Sequence, residues 1–169
     1  MTIHSEHPFL PPDAERSLLR RLRGRLPAAV SVWTSAGNRR RAGWTVSSFL
    51  LADGEPPQLV GLLDEDSDLA DIVLESRTVA VSVLGGQHRG LADAFAGVAP
   101  APGGVFTLGS WTETAWGPVL DDATAWVGAR LGDGEPAYAG WGLLIQATIE
   151  HVDLTSDAET LTHLRGRYR

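Results

Sequence analysis

The stretch Gly43-Trp44-Thr45-Val46-Ser47-Ser48-Phe49 decides how the rest of the chain is interpreted. It lies in a long apolar run, residues 42–52, that is predicted to be a strand, yet three of four consecutive side chains carry hydroxyls. Because strand side chains alternate between faces, Thr45 and Ser47 are expected on one face and Ser48 on the other. A hydroxyl can rotate toward its partner, so the stretch suits a phosphate or a polar ring edge. Bonding to backbone or water is the alternative, and this stretch alone leaves both open.

The composition indicates one acidic domain. The 169 residues suffice for a single domain with a sizeable core, assigned to residues 13–169 after an N-terminal tail of residues 1–12. The formal net charge of −7 argues against nucleic acid as a partner. No stretch approaches the ~20 apolar residues of a membrane helix, and the N-terminus has no signal-peptide pattern. A cytoplasmic protein without membrane contact is therefore expected.

Metal sites and the common nucleotide motifs are not indicated. The chain contains no cysteine, and its five histidines lack the spacing of metal ligands. The sequence also contains neither a P-loop nor a hydrolase nucleophile elbow, and no Rossmann glycine fingerprint follows a predicted strand. No metal ion is expected, and any redox cofactor is expected in something other than a Rossmann crevice.

The predicted strands favour an antiparallel barrel. They span residues 28–35, 42–52, 58–63, 77–84, 123–131 and 137–154, and the last is expected to be bulged or bent at Gly140 and Gly142. Gly37-Asn38 is a predicted hairpin turn, because both residues tolerate positive φ. Nineteen glycines and ten prolines fit a chain with many turns. We expect a mostly β, closed or partly closed antiparallel barrel with inserted helices.

Three helices are predicted around these strands. The first runs from Asp13 to Leu26, with leucines at helical spacing and arginines on its other faces. Ser67 is the expected N-cap of a short second helix, and the third spans residues 88–96. The arginines of the first helix fit an anion-binding face or an ordinary solvent-exposed face, and we prefer the second interpretation.

The order of these pieces resembles the flavin reductase-like FMN-binding split-barrel family. The resemblance runs from the first strand to the last residue and rests on several short segments taken together: 43–49, 55–60, Ser67 with 72–76, 81–84, 91–97, 117–120, 123–126 and 165–168. It implies a six-stranded antiparallel Greek-key split barrel with short flanking helices. It also implies a homodimer with flavin at the subunit interface. Hydride transfer from NAD(P)H to FMN is the implied reaction, FAD is a further candidate flavin, and many members supply reduced flavin to a monooxygenase.

The resemblance also implies flavin contacts at particular residues. In the opening stretch, the implied contacts with the phosphate, the ribityl chain or the ring edge are Thr45, Val46, Ser47 and Ser48. The implied contacts elsewhere are Asp64 and Ser67 at the ribityl chain and phosphate, Ser82, Val83 and Leu84 beside the ring, and Phe95, Ala96 and Gly97 in a loop that approaches the cofactor. An isoalloxazine needs a flat apolar slot with a few donors at its edge, which the backbone of a bent strand can provide.

Two departures from the family pattern bear on turnover. Ser82 stands where many members have Asn. Many reductases also have Gly-Asp-His in the sixth strand, where this chain has Gly140-Trp141-Gly142. The missing His lies near the flavin and the nicotinamide in those proteins, and His163 is a candidate for part of its role here. On a continuous strand, Trp141 would face away from the missing imidazole, and Gly142 would leave its space empty. If a bulge shifts the register, Trp141 would instead cap the ring and block a nicotinamide.

The sequence leaves three functions open. The first is an NAD(P)H-dependent flavin reductase, the second an FMN-binding module with little or no turnover, and the third a split barrel without flavin. No catalytic residue is assigned. A homodimer is also predicted from the six tryptophans, because aromatic residues are favoured at the cores of interfaces.

Overall fold

The structure is a computed structural model that describes residues 17–169. The predicted tail and the first residues of the predicted helix 13–26 lie outside this range. Within it, helix α1 (Leu18–Arg23) begins at Ser17, whose hydroxyl accepts a hydrogen bond from the Arg20 N–H. None of the residues of α1 is buried. The leucines of this helix therefore face solvent in the single chain.

The described residues form thirteen strands and two further α-helices. The strands are β1 (Ala28–Ala29), β2 (Ser31–Gly37), β3 (Arg40–Val46), β4 (Phe49–Ala52), β5 (Gln58–Leu63), β6 (Thr78–Val83), β7 (Trp111–Glu113), β8 (Pro118–Leu120), β9 (Ala125–Leu131), β10 (Ala137–Ala139), β11 (Gly142–Leu154), β12 (Thr162–Leu164) and β13 (Arg167–Tyr168). The helices are α2 (Asp68–Ser76) and α3 (Arg89–Phe95). No helix within residues 17–169 is long and apolar enough to cross a membrane.

The main sheet closes on itself through one bent strand. Its antiparallel order is β3-β2-β6-β9-β11-β5-β4, with β10 paired to β11. The two outer strands of this path, β3 and β4, are consecutive in the chain and are separated only by Ser47 and Ser48. Counted as one strand with a break, they give six strands around a barrel, as predicted. The mostly β antiparallel split barrel is confirmed.

The barrel interior is filled by alternate residues of the strands and by one face of α2. On β6, Val79 and Val81 point inward and pack with Leu69, Ile72 and Val73 of the helix. The Trp33 ring also lies inside, and a Cβ on Gly61 would stand 2.4 Å from its Cη2 atom. Gly61 is thus required for the close approach of β5 to this indole.

A second apolar cluster lies on the outer face of β2 and β3. Leu84 and Leu161 pack there with Ala92 and Phe95 of α3, beside the C-terminal strands β12 and β13. A Cβ on Gly43 would lie 2.6 Å from the Phe95 ring, so glycine at this position lets α3 pack directly on β3. This cluster joins the opening stretch to the C-terminus.

Three local predictions are corrected by the structure. The predicted strand 137–154 is a hairpin, because Ala139 pairs with Gly142 across the turn Gly140-Trp141. A register shift does occur in this region, but it lies between Ile149 and His151. The turn between β2 and β3 is Asn38-Arg39 rather than Gly37-Asn38, since both residues have positive φ (40° and 66°). The predicted first strand is divided into β1 and β2.

The hairpin of β7 and β8 is fastened to the outer face of β9 and β11. The Trp116 indole lies over Gly128 and donates a 2.7 Å hydrogen bond to Glu150. The His151 ring stacks on Trp126 with centroids 4.2 Å apart and contacts Trp116 at 5.5 Å. The register shift turns both Glu150 and His151 toward this covering hairpin, since it places two residues of β11 in succession on the outer face.

Candidate functional site

The break between β3 and β4 carries the free polar groups of the opening stretch. The Leu62 N–H donates to the Ser48 carbonyl over 3.0 Å, which holds the break against β5. Ser47 and Ser48 are partly buried residues, and neither hydroxyl has a hydrogen-bond partner within residues 17–169. Two unoccupied hydroxyls at the closure of the barrel are therefore available to a ligand.

Three other hydroxyls from the predicted site are already bonded inside the fold. Thr45 donates to the Ala92 carbonyl over 2.7 Å and so ties β3 to α3. Ser67 donates to the Asp64 carbonyl over 2.6 Å and accepts from an N–H in the first turn of α2. Ser82 accepts a 3.1 Å hydrogen bond from the Leu120 N–H, which holds β8 in place. These side chains support the site, and their direct contact with a ligand stays a prediction.

Asp64 lies on the same rim as the strand break. Leu62 is bonded to Ser48, and Asp64 follows two residues later at the end of β5. One carboxylate oxygen of Asp64 accepts from the Asp66 N–H over 3.1 Å. Because Glu65 and Asp66 follow, this rim is acidic and the phosphate end of an anionic ligand is better placed on the Ser47 side.

The remaining predicted contacts approach the break from the side of β2. Val46 and Val83 both pair with Ser31, one on each side of it, and the Leu84 N–H donates to the Val30 carbonyl over 3.0 Å. Of this group, the structure buries the side chains of Val46, Leu84, Phe95 and Ala96, while Val83 is partly buried. Gly97 alone is exposed, with φ of 74°. The backbone at Gly97 can therefore approach a ligand closely.

Trp44 adds a donor that was not predicted from the sequence. Its Nε1 atom is buried and has no hydrogen-bond partner in the described part of the chain. The Trp44 ring lies 4.0 Å from the position of a Cβ on Gly97. A buried N–H without a partner costs about 1–3 kcal/mol, so a ligand acceptor at this point would recover that loss. A tryptophan beside hydroxyls in a strand was the only signal available in the sequence.

The C-terminal strands bring two polar side chains, His163 and Tyr168, against Asp93 of α3. His163 on β12 packs edge-on to Tyr168 with centroids 5.7 Å apart. Burial and the neighbouring Asp93 carboxylate, which is hydrogen-bonded to the Tyr168 hydroxyl, raise the pKa of Tyr168 well above its usual value. Burial lowers the pKa of His163, and Asp93 opposes that shift. Asp93 adjoins Ala92, the residue that anchors Thr45, so this group borders the opening stretch on the α3 side.

The hairpin turn corrects the predicted geometry at Trp141 and Gly142. Trp141 lies in the turn with 94% of its surface exposed. Because it is not part of a continuous strand, the prediction of which strand face it occupies is wrong. Gly142 does not leave open space, because a Cβ there would stand 3.2 Å from the Leu62 Cβ. Tyr138, on the preceding strand, is hydrogen-bonded to Glu65, and this bond raises the pKa of Tyr138. The turn lies beside the loop that carries Asp64, because Leu143 of β11 pairs with Leu63 of β5.

A separate cavity of about 320 Å³ lies along β11, under the loop between β9 and β10. Arg77 reaches into its wall and donates to the carbonyls of Gly132 and Gly134. None of the predicted contact residues lines this cavity. Among residues 17–169, no group of three or more histidine, aspartate or glutamate side chains is placed to hold a metal ion. The strand break is therefore the candidate site.

Comparison with known proteins assigns the chain to a family. The family model described as "Flavin reductase like domain" matches residues 23–169. The chain therefore belongs to the flavin reductase-like domain family.

Among curated relatives, it is 33% identical over 122 residues to the protein named FMN reductase (NADH) RutF from Variovorax paradoxus, covering 72% of this chain and 67% of that protein. It is 29% identical to the RutF of Methylorubrum populi, covering 100% of this chain and 82% of the relative.

Solved structures of this fold are also similar. The NADH:FAD oxidoreductase SgcE6 of Streptomyces globisporus matches with a TM-score of 0.79 and 23% identity, covering 95% of each chain. The flavin reductase PheA2 matches with a TM-score of 0.80 and 22% identity, covering 94% of this chain and 97% of the other. At these identities the likeness describes the fold, which is the split barrel already derived.

Proposed function

We propose that this protein is a flavin reductase that binds FMN at the break between β3 and β4 and transfers hydride to it from NADH or NADPH. The observation that carries the proposal is the set of unpartnered groups there, namely the Ser47 and Ser48 hydroxyls and the Trp44 N–H. Family membership supports the reaction class, and the RutF relatives, named as NADH-dependent FMN reductases, support FMN and NADH as the first choice. FAD is the second candidate flavin, as in the name of SgcE6.

The residues present fit a flavin in chemistry and position. Ser47 and Ser48 would bond its phosphate, ribityl chain or ring edge, and the Trp44 N–H would donate to a ring or ribityl acceptor. The exposed backbone at Gly97 would lie against the same ligand. A bound flavin supplies the ring that accepts a hydride from the reduced nicotinamide. The protein's part is to hold and orient the two molecules, and no side chain is assigned a proton-transfer role.

The protein is further proposed to act as a homodimer and as the reductase component of an oxygenase system. BorF, of the same fold, is named as the flavin reductase component of a bacterial two-component tryptophan halogenase. Dimerisation is supported by β4, whose neighbouring side chains Leu50 and Leu51 point to opposite faces and are both exposed. A nicotinamide-dependent reaction and the absence of cysteine fit the predicted cytoplasmic location.

Spectroscopy of the purified protein tests the proposal. FMN and FAD are titrated separately, and each complex is then mixed with NADH or NADPH without oxygen. We expect saturable binding of FMN, followed by bleaching of the flavin absorbance on addition of the nicotinamide. Binding without bleaching by either nicotinamide would support a flavin-holding module in place of a reductase. No binding of either flavin would contradict the site itself.

A further inference from the structure

The turn Gly140-Trp141 presents one indole to solvent. It is a two-residue hairpin turn in which Gly140 has φ of 61°, as the first position of such turns requires. Trp141 is 94% exposed, the largest exposed fraction among the large apolar side chains of residues 17–169. The other five tryptophans lie in the core or in aromatic clusters, and Trp33 is completely buried. Trp141 therefore has a binding surface that the fold does not use.

Strand register places this turn on the rim of the candidate site. Leu143 pairs with Leu63, so the turn stands beside Asp64 at the end of β5. On its other side β5 is bonded to the strand break, through the Leu62 N–H and the Ser48 carbonyl. Two strand spacings, roughly 10 Å, therefore separate the turn from Ser48 across the sheet. Glu65 of the same loop lies close enough to Tyr138 of the hairpin to raise the pKa of that phenol.

The chemistry of the turn selects a flat aromatic ligand. Indole offers a large apolar face, and stacked aromatic pairs are stabilised beyond the burial of their area. The neighbours of Trp141 in the turn are both glycines, so the indole is the one side chain that residues 140–142 present to a ligand. A rigid two-residue turn also limits the conformational entropy lost when a ring stacks on it.

We propose that Trp141 is a stacking residue for a flat heteroaromatic ring bound at this rim, either the isoalloxazine or the nicotinamide. The inference rests on the proposed function for the identity of the two rings. It assigns the turn a role in binding and orienting a ring, with no part in proton transfer. The acidic Asp64–Asp66 segment beside the turn is unfavourable for a phosphate, which directs the ring end of the ligand, which carries no negative charge, toward Trp141.

Tryptophan fluorescence tests the stacking directly. The emission of Trp141 is the difference between wild-type protein and Trp141→Phe, and iodide should quench it in the free protein because the indole is exposed. FMN alone, NAD⁺ alone and both together are then titrated. We expect at least one of these ligands to quench the Trp141 emission and to protect what remains from iodide. The ligand that does so identifies the ring.

Affinity measurements complete the test. Trp141→Leu should weaken binding of that ligand about two- to tenfold, and Trp141→Phe should restore most of the affinity. Val152→Ala, an exposed apolar position on β11 away from the turn, serves as the matched control and should leave affinity unchanged. Unchanged affinity in Trp141→Leu, with Trp141 emission insensitive to both ligands, would overturn the proposal. If Trp141→Leu instead converts a dimer into a monomer without changing ring affinity, a second copy covers the indole and the proposal is also wrong.

The same experiments separate this inference from the proposed function. Binding of FMN and NAD⁺ is measured without turnover, so stacking on Trp141 can be detected in a protein that does not reduce flavin. That outcome would contradict the reductase function and leave the stacking role intact. Equal kcat/KM for NADH and equal ring affinity in wild type and Trp141→Leu would contradict only the stacking role.

Discussion

Ser47 and Ser48 differ from the other hydroxyls of the candidate site in what they bond. Thr45, Ser67 and Ser82 each satisfy a backbone group of a neighbouring element, while Ser47 and Ser48 have no partner within residues 17–169. The sequence could predict a stretch rich in hydroxyls. It could not predict which of them are free, because the partner of Thr45 lies 47 residues away on α3. The same limit applies to the buried Trp44 N–H.

The free hydroxyls should contribute to flavin affinity and little to stability. Replacing Ser47 or Ser48 with Ala is expected to weaken FMN binding by about 1–3 kcal/mol if the lost bond serves a charged phosphate. Calorimetric titration measures the affinity, and urea unfolding checks that the fold is unchanged. Thr45→Val is the matched control, because it removes the buried hydrogen bond between Thr45 and the Ala92 carbonyl and should lower the free energy of unfolding. Equal affinity in both Ser variants and their double variant would make these hydroxyls structural.

His163 should make the protein less stable in mild acid. Burial lowers its pKa in the folded state below its unfolded value of about 6.5. As the pH falls below that value, the unfolded chain takes up a proton that the folded protein resists, so the free energy of unfolding decreases. Urea unfolding at pH 8 and pH 5.5 measures this loss. A His163→Asn variant should lose less stability over the same interval, and an identical loss would refute the assignment.

At the scale of elements, turn chemistry explains both what was predicted and what was missed. The regions of β2 to β6 followed from apolar runs bounded by glycine, proline and acidic turns, although the divisions between β1 and β2 and between β3 and β4 did not. The β10–β11 hairpin was missed because residues 137–154 are apolar on both sides of Gly140, so the run was interpreted as one strand. Glycine at the first of two turn residues was the available signal. The N-cap of α2 at Ser67 occurred as predicted, since its hydroxyl accepts from an N–H of the first turn.

The fastening of the β7–β8 hairpin depends on the lack of a side chain at Gly128. A Cβ there would stand 2.4 Å from the Trp116 ring, so Gly128→Ala must displace the indole and disturb its bond to Glu150. Overpacking of this kind costs about 1–3 kcal/mol, which thermal or urea unfolding can measure. Gly86→Ala is the matched control, because no atom lies within 4 Å of its Cβ position. Similar stability of the two variants would show that the indole does not hold the hairpin.

At the scale of the whole molecule, the barrel itself was largely predictable. Its strands follow from apolar runs and alternation, and its mostly β antiparallel class follows from many short strands and turns. The order of the strands does not follow from the sequence in the same way, because β2 lies beside β6 and β5 lies beside β11. The means of closure was not predictable, because it depends on one run, residues 42–52, dividing its pairing between β2 and β5. Most of the tryptophans from which a dimer interface was predicted pack inside the single chain. Trp33 is buried in the core, and Trp111 and Trp116 lie in aromatic clusters. The exposed leucines now give the better reason to expect a dimer.

We expect sedimentation velocity to show a dimer at micromolar concentration. Leu50 and Leu51 are exposed on both faces of β4, and an uncovered strand of this kind is stabilised by burial against another surface. Replacing both with Ser should increase the monomer fraction, whereas Val152→Ser should not. A wild-type protein that sediments as a monomer would rule out the dimer.

In the proposed function, the flavin binds where the barrel closes, at the break between β3 and β4 formed by Ser47 and Ser48. A flavin bound there would contact both β3 and β4 and so stabilise the closed barrel. Local opening of the barrel at this break would then depend on flavin. At a flavin concentration of 100 Kd, binding would raise the free energy of local opening by about 2.7 kcal/mol. Amide exchange through that opening would slow roughly a hundredfold. The Leu62 amide, bonded to Ser48, should report this slowing. The amides in the middle of β6, far from the break, should exchange at the same rate with and without flavin unless the whole barrel opens.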